Sequence, residues 1–389
     1  MQDTKVRLDK NPVNYPTKIK VIGVGGAGGN AINTMIERGI DGPEFIVVNT
    51  DTTDLEKSLA ENRLHIGEKL TGGKGAGAMP EVGRDAALES KEAIEKELEN
   101  TDMLFIAAGF GGGTGTGASP VIAEIAKKKD ILTLGIFTKP TSIEGGRRLK
   151  NFNEGFNEII KYIDSYIIIP NQKLIEISED MGVFEVFKKA DSVIYEAVKA
   201  MSDIINKSGY INVDFADVKS VLANKGCALM GTGIAEGENR AAEAANLAIS
   251  NPLLSDVKLN GCSSVLINVT VGEDMKYCEF EEVSAIINNE TGSAENTIIG
   301  LVKDQEMTGK VCVTIFASGL PNGFERMPDP TDPRKDTDTP PALQEIFTRI
   351  HRSSPNDLDN IKSVNTNNPK PKNSKNEIEI PSFMRRFTD

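Results

Sequence analysis

The chain has 389 residues, enough for two domains and a tail. It carries 44 Lys and Arg against 57 Asp and Glu, a net charge of −13, which argues against nucleic acid or an anionic membrane as a direct partner of the whole chain. No apolar run approaches the roughly 20 residues that span a bilayer, and the polar opening "MQDTKVRLDKNP" lacks the apolar centre of a signal peptide, so a cytoplasmic protein without direct membrane insertion is expected.

Four cysteines (Cys227, Cys262, Cys278, Cys312) lie far apart without metal-ligand spacing and read as reduced and structural. Only two histidines exist, His65 and His351, and neither sits in a setting that suggests a triad or a zinc site.

From residue 18 the pattern alternates. "KIKVIGV" reads as a buried strand, followed by a helix over 28–39. "EFIVVNT" is a second strand and "NRLHIG" a short third, before the Gly-rich loop "TGGKGAGA". Pro80 favours the first position of a helix expected to run to about residue 99. "DMLFIAA" is the next strand, then the loop "AAGFGGGTGTGASP" and a helix over 118–129. "DILTLGIFT" and "DSYIIIP" continue the series. Short β-rich runs alternating with helices predict a parallel, Rossmann-like sheet with helices on both faces.

A long helix is expected over 182–207, with Phe187, Ile194, Val198, Met201 and Ile205 on one face and an end at Gly209. The block 210–320 reads as a smaller α/β domain. Its helices fall near 214–223, 238–249 and 279–289, and its strands are "GCSSVLINVTV", "NTIIGLV" and "KVCVTIFAS". At Pro321 the composition turns to Pro, Asn, Asp, Ser, Thr and Lys, too poor in apolar surface to offset its ordering entropy, so 321–376 reads as a disordered linker. Within it, Leu343, Ile346, Phe347 and Ile350 share a helical face. "EIEIPSFMRRFTD" at 377–389 reads as a short docking peptide. The expected divisions are a tail at 1–14, a nucleotide domain at 15–181, a central helix at 182–208 and a smaller domain at 209–320, followed by the linker and the peptide.

Two glycine loops stand between strand and helix, "GVGGAGGN" at 23–30 and "GGGTGTG" at 111–117. Such loops let backbone N–H groups approach an anion, and the helix behind adds its positive dipole end. Gly23, Gly25 and Gly28 satisfy G-x-G-x-x-G, with Asp51 ending the next strand, so an NAD(P)- or FAD-dependent enzyme is a rival reading. The Walker pattern is absent. The dinucleotide reading leaves the second loop unexplained, where the Thr114 and Thr116 hydroxyls could join the backbone on phosphate oxygens. Two loops on one sheet edge suit one polyphosphate.

"GGGTGTG" resembles the signature of the tubulin/FtsZ superfamily. The resemblance extends through "KVIGVGGAGGNA", "VNTD", "GAGAMPEVGR", "TKPTSIEGGRR", "NVDFADV" and "NRAAEAANLAISNPLL", covering about 15–320 plus the terminal peptide. Tubulin lacks that peptide and this linker, which turns the resemblance toward the FtsZ family of bacterial division GTPases. It implies GTP and GDP as ligands, with Mg²⁺. It implies that Gly25, Gly26, Ala27, Gly28, Gly29 and Asn30 form the first loop, and Gly112, Gly113, Thr114, Gly115, Thr116 and Gly117 the second, with Gly113 to Gly115 on the β- and γ-phosphates. Ala27 stands where some relatives carry glycine. Glu144 and Arg148 would meet the ribose and phosphate side, although a solvated charged loop would look the same in sequence.

Asp191 has support of its own. It falls on the apolar face of the long helix, four after Phe187 and three before Ile194, where a lone carboxylate is costly without a partner. Guanine offers two adjacent donors that Asp191 can accept, and Phe187 can stack on the ring. Asp214 and Asp217 suit the first turn of a helix on electrostatic grounds alone. The resemblance implies that they enter the nucleotide pocket of the next subunit and act on the attacking water. It further implies head-to-tail filaments that scaffold the division ring, and recruitment to membrane-associated adaptors at the division site through 377–389. A nucleotide-sensing module without turnover is a third possibility, opposed by the two carboxylates.

Overall fold

The computed structural model describes residues 17–320 except 177–181, 208–209, 212, 252–253, 255–258, 293 and 295, together with the backbone alone at 183, 184, 186 and 187. The linker, its amphipathic stretch, the terminal peptide and the expected helix end at Gly209 lie outside the described residues.

The first half alternates strand and helix. The strands are β1 (Ile19–Val24), β2 (Glu44–Asn49), β3 (Asn62–His65), β4 (Met103–Gly109), β5 (Leu132–Lys139) and β6 (Ser165–Pro170). Between them lie α1 (Gly25–Glu37), α2 (Thr52–Glu56), α3 (Glu68–Thr71), α4 (Pro80–Glu89), α5 (Lys91–Glu97), α6 (Thr114–Lys128) and α7 (Gly146–Ile159). Then come α8 (Asn171–Glu176), α9 (Val183–Asn206) and α10 (Phe215–Leu222). The second half holds β7 (Gly226–Glu236), α11 (Arg240–Ile249), β8 (Ser264–Val271), α12 (Tyr277–Thr291), β9 (Asn296–Lys303) and β10 (Lys310–Ser318).

All ten strands join in one sheet, ordered β3-β2-β1-β4-β5-β6-β7-β10-β8-β9. The first six pair parallel, while β10 runs antiparallel to both β7 and β8. Within the sheet, β6 and β7 join the two halves through two residue pairs among the described residues, Ser165 with Gly226 and Tyr166 with Cys227.

Alternating residues of each strand feed opposite cores, as the period of two requires. On β4, Met103, Phe105 and Ala107 face a core that includes Ile32 and Met35 of α1 and Ile194, Val198 and Met201 of α9. Leu104, Ile106 and Ala108 face the other, with Ala86 of α4, Ile122 of α6 and Phe152 of α7. The first core also takes in Met230, Leu266 and Phe316 from the second half. α9 thus lies across both halves of the sheet and reinforces their narrow joint. A third core packs α11 and α12 on the far face of β7, β8 and β10.

Three expectations need correction. The helix from Pro80 is two helices, because Ser90 leaves helical geometry (φ −101°, ψ 19°) and its hydroxyl accepts from Gly67 N–H at 3.0 Å. The helix expected at 118–129 starts at Thr114, so half of the second glycine loop is its first turn. Strand β7 was not foreseen. Its Gly231 and Gly233 weaken the strand signal, yet they let α11 rest on the strand: a Cβ on Gly233 would lie 2.2 Å from Ala244 O.

Candidate functional site

The carboxyl ends of β1, β2, β4, β5 and β6 border a cleft of about 490 Å³. A hollow of similar size surrounds Lys18, Asp102 and Lys129 on the opposite edge, but it has no uncapped helix start, so chemistry rather than volume selects the cleft. Ligands of open α/β sheets bind at this carboxyl edge.

Gly25 turns the chain from β1 into α1 at φ +72°, a conformation that favours glycine. Neither α1 nor α6 has a side-chain cap, so their first N–H groups are free for an anion. The two helix starts touch: a Cβ on Gly25 would lie 3.1 Å from Gly115 N. Thr114 Oγ1 shares a 2.7 Å hydrogen bond with Thr50 Oγ1, tying α6 to the end of β2.

Of the residues read from sequence, the cleft brings together Gly25, Gly26, Ala27 and Asn30 from the first loop and Gly112 to Gly115 from the second. Glu144, Arg148 and Asp191 join them. Four others do not line it. Thr116 is buried, and its Oγ1 accepts from Gly111 N–H at 2.8 Å, so its hydroxyl shapes the loop from within. Gly28 and Gly117 are packing contacts: a Cβ on Gly28 would meet Ala107 O at 2.5 Å, and one on Gly117 would meet Pro80 O at 1.9 Å. Gly29 faces Val47 of β2. The Phe187 side chain lies outside the described residues.

Glu144 closes a short turn by accepting from Thr141 N–H at 2.9 Å and pairs with Arg148 Nη1. Asp191 is half-buried on α9, and burial alone pushes its carboxyl up to about 7. Asn171 lines the same end, and its buried Oδ1 has no hydrogen-bond partner among the described residues. A raised carboxyl and an orphaned amide oxygen are what a base with several N–H donors would satisfy.

Asp214 and Asp217 are not at the cleft. They form a capping box at the start of α10, with Asp214 exposed. The other end of α10 sits by the amino edge of β6, where Leu222 O accepts from Ser165 Oγ at 2.6 Å.

Sequence reasoning missed Asn49, Asp54, Thr138, Ala190, Asn171 and the stretch Lys74–Gly77, all on the cleft. Asn49 and Thr138 lie at the carboxyl ends of β2 and β5, where the strand-end rule could have found them. Asp51 also lines the cleft, but its Oδ1 caps α2 by accepting from Thr53 N–H at 2.9 Å. That is a poor arrangement for the ribose contact a dinucleotide site needs.

A parallel sheet with two uncapped glycine-rich helix starts and a half-buried carboxylate on a long helix defines a nucleotide-binding protein of tubulin-like architecture. Residues 18–179 match the Tubulin/FtsZ family GTPase domain, and residues 226–321 match the FtsZ family C-terminal domain. The chain is 41% identical over 388 residues to the cell division protein FtsZ of Buchnera aphidicola subsp. Schizaphis graminum, covering 99% of both chains. It is 42% identical over 381 residues to the Pseudomonas aeruginosa protein of that name, covering 95% of this chain and 97% of that one. Among solved structures, the FtsZ dimer of M. jannaschii superposes with a TM-score of 0.75 at 41% identity, over 80% of this chain and 90% of that one. CetZ1 of Haloferax volcanii, at 21% identity, shares the fold with a TM-score of 0.69 over 86% of this chain and all of that one. The chain belongs to the FtsZ family of cell-division proteins, and its first domain is a Tubulin/FtsZ GTPase domain. The dinucleotide-enzyme reading is not favoured.

Proposed function

We propose that the cleft takes GTP with its guanine on Asp191 and its phosphates on the starts of α1 and α6, and that hydrolysis needs a second copy of the chain. The observation that carries this is the separation of the two parts. The cleft lies on the carboxyl edge of the first six strands, whereas Asp214 and Asp217 do not line it and stand at the start of α10, a helix whose other end abuts the amino edge of β6. A carboxylate pair with no route to its own cleft can serve a neighbour stacked head to tail. Such heterologous contacts do not close and give open filaments.

Asp191 would accept the ring N–H and exocyclic amine of guanine, with Phe187 on the ring. Gly26 to Asn30 and Gly112 to Gly115 would hold the phosphates, with Glu144 and Arg148 on the ribose and phosphate side. Mg²⁺ supplies charge neutralisation when bound. Hard oxygen donors suit it, and Asp51 and Asp54 offer carboxylates on the cleft, reached most simply through phosphate oxygens and water. Among the described residues no cluster of three or more His, Cys, Asp or Glu could hold a metal alone, so the ion would arrive with the nucleotide.

On this reading residues 15–181 form the nucleotide domain, 182–208 the central helix and 209–320 the smaller domain. Among the described residues no helix is long and apolar enough to cross a membrane. Recruitment to the division site would fall to membrane-associated adaptors that bind 377–389. Deleting that peptide should spare polymerisation in the test tube and abolish localisation in cells.

Light scattering with GTP, GDP, ATP and NAD added separately tests the core of the proposal. GTP alone should give a rise that decays as it is consumed. Turnover per molecule should climb steeply with protein concentration, and a turnover independent of concentration far into dilution would show the site to be complete in one chain. Asp191→Ala should erode the preference for GTP over ATP, since an unpaired buried polar group costs roughly 1–3 kcal/mol.

A further inference from the structure

Residues 72–79, between α3 and α4, reach the cleft at Lys74–Gly77. Their place follows from the strand order. Asn171 succeeds β6, the two glycine loops succeed β4 and β1, and Asp51 succeeds β2, while loop 72–79 lies against the far end of this row: Lys74 bridges Asp51, Gly75 N–H donates to Thr50 O at 3.2 Å, and a Cβ on Gly113 would lie 2.7 Å from Ala76 Cβ. A nucleotide laid along this edge with its base at Asn171 and Asp191 therefore points its last phosphate toward loop 72–79.

The loop backbone is held in an uncommon shape. Gly72, Gly73, Gly75 and Gly77 all have positive φ, and Ala78 joins them at φ 58°. An alanine is strained in this left-handed region, so something must hold it. The Ala78 carbonyl accepts from Asn151 Nδ2 at 3.3 Å and from Arg147 Nη2 at 3.4 Å. Both donors belong to α7. Asn151 is 7% exposed, and its amide nitrogen also donates to Gly111 O at 3.1 Å. Gly111 opens the second glycine loop. One buried amide thus pins two loops that flank the phosphate end, each by a backbone carbonyl.

We propose that Asn151, assisted by Arg147, is a positioning residue that sets loop 72–79 against the terminal phosphate, so that the cleft distinguishes a nucleoside triphosphate from a diphosphate. This rests on the assignment of the cleft to guanine nucleotides. Without the pin, Ala78 relaxes to a favoured backbone and the loop withdraws. A diphosphate, which ends at the starts of α1 and α6, loses little. A triphosphate loses a wall of its site.

The test measures binding of GDP and of a non-hydrolysable GTP analogue to the full-length protein, Asn151→Ala and Arg147→Ala, with thermal unfolding of each nucleotide-free protein. Asn151→Ala should weaken the analogue about tenfold and GDP no more than about threefold, the scale of one or two lost hydrogen bonds. Arg147 is exposed and donates to Ala78 O, so its removal should spare the fold. Arg147→Ala should weaken the analogue about threefold and leave GDP unchanged. If Asn151→Ala does not fold, Arg147→Ala decides. Equal weakening of both ligands, or a lowered melting temperature with an unchanged ratio, overturns the proposal. Failure of the unaltered protein to bind either guanine nucleotide would instead overturn the assignment of the cleft.

Discussion

Asp214 and Asp217 cap each other. The Asp214 carboxylate accepts from Asp217 N–H at 2.8 Å, and the Asp217 carboxylate accepts from Asp214 N–H at 3.2 Å. Each side chain therefore holds the start of α10 as well as offering its remaining oxygens to a neighbour. An alanine substitution confounds the two roles, since losing an N-cap costs about 1 kcal/mol. Asparagine separates them, because it caps as well as aspartate but carries no charge. Asp214→Asn should keep the unfolding midpoint and GTP binding of the unaltered protein while hydrolysing GTP poorly. Asp214→Ala should lose stability as well. Normal turnover by Asp214→Asn would remove this carboxylate from the reaction.

Gly117 sits inside α6, where alanine should favour the helix by about 1 kcal/mol. The contact with α4 reverses that sign. An added Cβ would lie 1.9 Å from Pro80 O and 2.7 Å from Arg84 N, both backbone atoms that cannot swing aside. Overpacking of this kind costs roughly 1–3 kcal/mol. Gly117→Ala should lower stability in denaturant titration by more than the helix gains, and a stabilised variant would mean that α4 moves freely on α6.

The same glycine shows what the sequence could and could not carry. The density of glycine in "GGGTGTG" was legible, and so was its place between strand and helix. Which glycines border the cleft and which only pack was not, because Gly115 packs against Gly109 at the end of β4 and Gly117 against α4, contacts set by other parts of the chain. Five of the six parallel strands were legible as short apolar runs bounded by turn residues, whereas β3 offers only Leu64 among polar residues and was read from its place in the series. Strand β7 was hidden because Gly231 and Gly233 interrupt the apolar face that Cys227, Leu229 and Ala235 otherwise form. Asp191 could be found from a helical face alone. Asn171 could not, since a single Asn after a proline looks like any turn until the strand order places it beside Asp191.

Arg240 begins α11 and is buried at 6% exposure. It donates to Glu279 at 2.8 and 3.1 Å, to the Asp274 carboxylate at 2.5 Å and to Asp274 O at 3.1 Å. Its guanidinium holds both carboxyls below the usual range. Groups with depressed values contribute stability above their unfolded values near 4, and lose it as the pH falls further. Arg240→Lys cannot reproduce the planar fork. It should shift the acid-unfolding midpoint toward neutrality while leaving GTP binding intact, and an unchanged midpoint would show that the cluster adds nothing.

The Asp191 carboxyl makes guanine binding pH-dependent. With no base beside it, burial pushes its value up to about 7, well above the unfolded value near 4. The nucleotide-free protein therefore holds a proton there that the unfolded chain releases. The sign is opposite to that of an ion-paired carboxylate: the contribution to stability is present below about 4 and is lost as the pH rises through 7. Guanine reverses the preference, because two N–H donors require the ionised oxygens. Binding must then release a proton, and affinity for GDP should fall about tenfold per unit once the pH is well below 7. Arg38 bonds Ser192 one residue further along α9, and Lys188 and Lys189 precede Asp191, so salt should shift the midpoint but not its direction. The measurement is a GDP titration from pH 5.5 to 8.5, in parallel with Asp191→Asn to subtract the titration of the phosphates. The unaltered protein should show the acid-side loss, and the asparagine variant should bind weakly and evenly throughout. Parallel curves for the two proteins would mean that Asp191 does not read the base.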